Sequence, residues 1–273
     1  DSALLSEQKI TNAVISNNKV FFGGGMTGFS FNNNVLQTTF IIDIYDLSTN
    51  EVTQDTLSEA RALMAAAATD NIVLFAGGSR TGVGQVSDRV DIYDVSREEW
   101  TTAQLSEART SATAVAIGDK ILIAGGNKAG INNSSNRVDI YDTVNNTWTT
   151  ATLSEARGGM VAGVVGNKAY FLGGGDSDVN SLFGTSVSAT IDIYDATTGT
   201  WSTDKLLFPR VNHSVAATDN QLFVAGGVSD ITSETSLDIM EVFTDTTVVI
   251  SSTQDNKIQP LLTAFPNPAT DQI

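Results

Sequence analysis

The chain has 273 residues, 41% of them hydrophobic, and carries 31 acidic against 15 basic side chains for a formal charge of −16. That balance excludes nucleic acid and anionic membrane surfaces as partners, because both require a basic face, and no apolar run approaches the ~18 residues of a membrane helix. With no cysteine and one histidine, His213, the sequence also excludes disulfides, thiolate chemistry, Cys-ligated zinc and His-rich metal sites.

The chain opens DSALLSEQK, with neither the basic start nor the apolar stretch of a secretory signal peptide. Short apolar strands then recur: KVFF (19–22), NIVLF (71–75), KILIA (120–124), KAYFL (168–172) and QLFVA (221–225). Each runs into a glycine pair: Gly24-Gly25, Gly77-Gly78, Gly125-Gly126, Gly173-Gly174 and Gly226-Gly227. One unit, 109–157, serves for all. Residues 110–117 alternate small and larger side chains with the period of two of a strand. Gly118-Asp119 is a turn signal, and 120–124 is the second strand. A polar loop over 127–136 leads to RVDIY (137–141), and Asn145-Asn146 turns the chain into a fourth strand, 147–151. The unit is four antiparallel strands, and no helical periodicity is sustained anywhere.

The stretch 91–109, DIYDVSREEWTTAQLSEAR, returns as 139–157 and more loosely as 43–61 and 192–210. Arg61, Arg109, Arg157 and Arg210 therefore recur at steps of 48, 48 and 53. A period near 50 signals repeated supersecondary units. Four-stranded units of this length stack radially into a propeller, which leaves only short edges. The first strand of each blade lies nearest the axis, where Ala65–Ala68, Ala112/Ala114/Ala116 and Gly158-Gly159 fit the narrow space.

The glycine pair after strand two, the Tyr in strand three, the Trp in strand four and the Arg before the next strand one together resemble the kelch repeat over roughly residues 9–250. The resemblance implies an all-β fold, a kelch-type β-propeller of four-stranded antiparallel blades with five blades visible, or six or more if N-terminal sequence is missing. Terminal repeats depart from the pattern: Lys9 replaces the Arg and Val52 the Trp of repeat one, and Met240 and Thr247 stand for the Tyr and Trp of repeat five. Asp1-Ser2-Ala3 aligns just past the expected Trp, so the favoured expectation is that this piece supplies the last blade's fourth strand and closes a five-bladed ring.

The predicted organisation is a propeller over 1–250, a polar linker over 251–260 and a distinct segment over 261–273. Within LLTAFPNPATDQI, Pro266, Asn267 and Pro268 resemble the opening of the C-terminal sorting domain of cargo of the type IX secretion system of Bacteroidota. This implies a secreted or cell-surface protein, with the type IX translocon and its outer-membrane shuttle as partners. Ser2, Thr56 and Thr143 each follow an Asp and precede an apolar residue, which resembles the O-glycosylation site of such exported proteins.

Propeller topology puts the loops between strands two and three on the same face as the LSEAR connections. That face is where binding is expected. From second glycine to DIYD aspartate is 13 residues in repeats two and three but 18 in repeats one and four, and the insertions hold Phe29, Phe31, Leu182 and Phe183. The repeated Glu-x-Arg reads in two ways: ion pairs and carbonyl contacts between blades, or a ring formed by Arg61, Arg109, Arg157 and Arg210 that takes an acidic ligand, as kelch domains of similar kind do. Asp176, Asp178 and Asn180 alternate as Ca²⁺ ligands do, without the glycine and glutamate of an EF-hand. No other cofactor is indicated. The copper-oxidase chemistry of some kelch proteins needs a cysteine this chain lacks, and no Gly-x-Ser-x-Gly, P-loop or dinucleotide motif is present. The leading reading is a binding module for protein or glycan. The alternatives are a sugar-acting enzyme similar to sialic acid mutarotases and a structural spacer.

Overall fold

The computed structural model describes residues 6, 9–30, 35–82, 84–129, 133–176, 186–230 and 235–244. Blade one is β1 (Ile10–Ser16), β2 (Lys19–Ser30), β3 (Val35–Asp46) and β4 (Val52–Thr56). Blade two is β5 (Ala65–Ala68), β6 (Ile72–Ala76), β7 (Arg89–Asp94) and β8 (Glu99–Gln104). Blade three is β9 (Thr113–Ile117), β10 (Lys120–Ala124), β11 (Arg137–Asp142) and β12 (Thr147–Thr152). Blade four is β13 (Val161–Val165), β14 (Lys168–Leu172), β15 (Thr190–Asp195) and β16 (Thr200–Lys205). Blade five holds β17 (Ser214–Ala217) and β18 (Gln221–Ala225), a small ribbon of β19 (Val228–Asp230) with β20 (Thr235–Ser236), and then β21 (Met240–Thr244). Within each blade, strands pair antiparallel in sequence order. The main sheet of blade five has three strands among the described residues, β17, β18 and β21, with the β19–β20 ribbon a separate sheet.

The inner strands pack in series: β1 on β5, β5 on β9, β9 on β13 and β13 on β17. Small residues permit this approach, as expected from Ala65–Ala68 and from Ala112, Ala114 and Ala116, which pack on the core shared with blade two. Four apolar clusters fill the four junctions between consecutive blades. No comparable packing joins β17 to β1 among the described residues. The N-terminal piece expected to supply the fourth strand of the last blade, Asp1-Ser2-Ala3, lies outside the described residues.

Two further details depart from the sequence reading. In repeat one the segment between strands two and three, expected as a loop, is strand at 28–30 and 35–36, because β2 and β3 run twelve residues each and pair as far out as Ser30 with Val35, with bulges near Gly23–Gly25 and Met26–Gly28. In blade five, Leu222 pairs with Phe243, as Ile121 pairs with Tyr141 in blade three. Phe243, not Met240, thus holds the tyrosine position. Glu241 holds that of the DIYD aspartate, and the tryptophan position shifts from Thr247 to Ile250, beyond the described residues.

The recurring Tyr-to-Trp spacing has a cross-strand cause. Tyr93, Tyr141 and Tyr194 sit directly opposite Trp100, Trp148 and Trp201, with ring centroids 4.9, 4.8 and 5.2 Å apart. Such aromatic pairs stabilise a sheet by more than their buried area alone. The turns between these strands are tied by the last aspartate of each DIYD. The Asp94 carboxylate accepts the N–H groups of Ser96 and Arg97, and Asp142 those of Val144 and Asn145.

Candidate functional site

The strand-two-to-three loops and the connections between blades share one face. Each connection ends in a cation that leads into the blade's inner strand. That cation reaches the carboxylate on the third strand of the same blade. Lys9 lies 2.8 Å from Asp43, Arg109 2.6 Å from Asp139 and Arg157 2.7 Å from Asp192. Arg61 pairs with Asp91 and Arg210 with Glu241 in the same way. The other carboxylate oxygen accepts a backbone N–H from the incoming connection: Ser58 to Asp91, Ser106 to Asp139 and Ser154 to Asp192, all at 2.9 Å, and Leu207 to Glu241 at 2.7 Å. Each third-strand acid thus holds both ends of a connection.

The arginines also bind the ends of the second strands. Arg61 donates to the Gly77 carbonyl at 2.6 Å, Arg157 to Gly173 at 2.8 Å and Arg210 to Gly226 at 3.1 Å. Their own backbone carbonyls accept from the preceding blade: Gly25 N–H to Arg61, Gly78 to Arg109, Gly126 to Arg157 and Gly174 to Arg210, at 2.8–3.0 Å. This is why the pair must be glycine. Gly77 has φ +63°, and a Cβ there would stand 2.4 Å from the Arg109 oxygen.

All four guanidinium groups are fully buried. Burial pulls the ionisation of Arg61, Arg109 and Arg210 down from the usual range, and the facing carboxylates offset part of it. Arg61, Arg109, Arg157 and Arg210 are therefore not an open ring for an acidic ligand. Their charge is already matched, and no solvent path reaches it. Breaking a buried pair of this kind costs about 3–5 kcal/mol, so these residues hold the blades rather than a ligand.

The surface above them is acidic. Glu59, Glu107 and Glu155 stand 3.5–3.7 Å from the arginines and accept hydrogen bonds from Ser87, Ser135 and Ser188. Burial acts to raise Glu59, but the Ser87 hydroxyl and Arg80, 2.9 Å away, hold its carboxyl below the usual range. The second residue after the glycine pair is basic in blades two and three, Arg80 and Lys128, and acidic in blade four, Asp176. There a polar cleft of about 310 Å³ opens between Glu155, Asp176, Ser186, Ser188 and Lys205.

Two residues past each arginine, the backbone takes a left-handed turn at the inner rim: Leu63 (φ +54°), Ser111 (+53°), Gly159 (+61°) and Asn212 (+53°). Ser111 N–H donates to the Leu63 carbonyl and Gly159 N–H to that of Ser111, at 3.0 and 3.2 Å. This rim was not singled out from the sequence, although the column Leu, Ser, Gly, Asn was there to read.

Phe29 stands on the β2–β3 hairpin at 40% exposure, and Leu207 and Phe208, on the connection into blade five, reach 60% and 42%. Phe31, Phe183 and Leu182 lie outside the described residues, as do Asp178, Asn180, Ser2, Pro266, Asn267 and Pro268. Of the calcium candidates only Asp176 is described, and it accepts the Ser134 hydroxyl at 2.6 Å. Among the described residues no group of three or more His, Asp or Glu is arranged to hold a metal ion. Thr56 is exposed, beside an Asp55 that accepts the Trp100 indole N–H. Thr143 is half-buried and donates to the Asp119 carbonyl. His213 is buried between blades four and five, against Gly173 and Gly227. No helix among the described residues is long and apolar enough to cross a membrane.

Comparison with known proteins agrees with this geometry. Residues 9–227 match the KLHDC2/KLHL20/DRC7 Kelch-repeats domain, and residues 209–247 match the Kelch motif. No curated protein sequence matches the chain. A solved structure described as "Structure of YjhT" superposes with a TM-score of 0.66 at 17% identity, covering 86% of this chain and 80% of the other. At that identity the likeness speaks for the fold alone. The family match spans most of the chain: the chain belongs to the kelch-repeat family of β-propellers.

Proposed function

We propose that this chain is a secreted or cell-surface binding module that engages a protein or glycan through its long-loop face. The observation that carries the reading is the asymmetry of the two faces. One face bears the β2–β3 hairpin with Phe29 and the connection with Leu207 and Phe208, whereas the other consists of short turns tied by aspartates. Kelch propellers include both protein-binding and enzyme-like modules. The binding reading is favoured because the four repeated arginines are buried and paired and so present no open charged cluster to a small substrate. Screening the folded chain against a glycan array and a displayed peptide library tests it. A Phe29→Ala/Phe208→Ala variant is expected to lose at least ten-fold in affinity for any ligand found, and a Leu47→Ala/Val144→Ala control on the turn face is expected to lose none. The reverse pattern, or equal losses, overturns the assignment of the face.

The route to the surface rests on the likeness of AFPNPATD to a type IX sorting domain, with the translocon and its outer-membrane shuttle as partners. Deleting everything after Ser251 is expected to leave folded protein within the cell envelope and none outside. Normal export of that form, seen by comparing medium, cell surface and periplasm, refutes the sorting role.

A further inference from the structure

Leu63 is the one branched aliphatic side chain among the left-handed positions of the inner rim. Its φ of +54° is the left-handed region, which a branched aliphatic residue adopts only under strain. Blades three, four and five place Ser111, Gly159 and Asn212 there, and glycine and asparagine enter that region most readily. The strain is not offset by core packing. Ala62 and Met64 on either side are buried, while Leu63 is 50% exposed. The conformation is fixed from outside, since the Leu63 carbonyl accepts the Ser111 N–H across the blade junction. A large apolar side chain held out to solvent by a strained, cross-braced backbone is the pattern of a functional contact rather than of a structural one.

We infer that Leu63 is the apolar anchor of a binding site at the inner rim, and that its partner is a protein segment presenting an apolar side chain beside a basic one. The inference rests on the long-loop face being the binding face. The basic component follows from charge. Each of the connections into blades two, three and four carries a glutamate open to solvent, Glu59, Glu107 and Glu155 with 25, 31 and 45% of the side chain exposed, and the chain as a whole is strongly negative. Glu59 is shared with Arg80, but Glu107 and Glu155 leave an excess of negative charge on the face that bears the anchor, which favours a cationic rim on its partner and disfavours an acidic one.

The test uses the full chain, a Leu63→Asn variant and a displayed library of random nine-residue peptides. Peptides enriched on the native chain are expected to pair an apolar residue with Lys or Arg. A synthetic copy is expected to bind Leu63→Asn at least ten-fold more weakly and to lose affinity as salt is raised. The variant is expected to melt at the same temperature or higher, because asparagine tolerates the left-handed turn, so weaker binding cannot be blamed on misfolding. No enrichment, enrichment of acidic peptides, or unchanged affinity for Leu63→Asn overturns the inference. Peptides that bind Leu63→Asn fully but fail on the Phe29→Ala/Phe208→Ala variant leave the long-loop face as the binding surface and remove Leu63 as its anchor. A glycan that binds when no peptide does has the same consequence.

Discussion

Blades three and five carry the same repeat in the same register, yet only blade three has a described neighbour on both sides. Leu122 and Ala124 in β10 are fully buried, whereas Phe223 is half-buried and Ala225 exposed at the matching places in β18. In blade three the arginine meets an aspartate that is almost wholly shielded, 4% exposed. In blade five it meets the longer Glu241, 12% exposed. Met160 fills the junction between blades three and four, and His213 fills the matching position between four and five. The sequence of a blade therefore sets its hydrogen-bonded ladder, while its burial, and hence most of its stability, is conferred by the blades beside it.

The glycine pairs sharpen this most directly. Gly77 and Gly226 share a φ of about +65°, at +63° and +67°. A Cβ on Gly77 would strike the Arg109 carbonyl oxygen at 2.4 Å, but on Gly226 the nearest atom is the Leu237 oxygen at 3.9 Å. Gly226→Ala is expected to cost only the left-handed strain, about 1–2 kcal/mol. Gly77→Ala is expected to add overpacking of about 1–3 kcal/mol. Chemical denaturation of the two variants gives the difference, and equal losses would mean that the neighbouring blade contributes nothing at this position.

A smaller effect depends on pH. Burial, and then the charge of Arg210, lowers His213 from 6.5 to about 4. The unfolded chain takes up the proton first, so stability falls as pH drops from about 6.5 toward about 4. At pH 5 the loss from this group is roughly 2 kcal/mol. His213→Met, which copies blades two and four, is expected to remove that part of the acid sensitivity while leaving the part due to the paired carboxylates. Melting curves of both proteins between pH 7 and pH 5 that shift in parallel would show that His213 is not the group responsible.

The four-stranded unit, the glycine pairs and the recurrence of a Tyr in strand three and a Trp in strand four were legible in the chain because each depends on contacts within one repeat, or on a backbone requirement that recurs every 48 to 53 residues. The end of the array was not. Met240 reads as the tyrosine of Asp238-Ile239-Met240, and only the pairing of Leu222 with Phe243 fixes the true register. The arginines were legible as a column but not as a buried one, since an arginine is exposed by default unless a partner is supplied. Their partners lie 30 residues or more away, on another strand.

The sequence by itself determined that the protein is an array of four-stranded blades, where each blade turns, and which residue types recur at the junctions, because local propensity and periodicity are properties of the chain alone. That the arginines face inward while Leu63 faces out, and that Ile15 and Ala225 in the first and last blades are exposed, was settled by the tertiary structure alone. Those outcomes turn on which surface meets which neighbour. A repeat encodes the same face whether or not a neighbour is there to cover it.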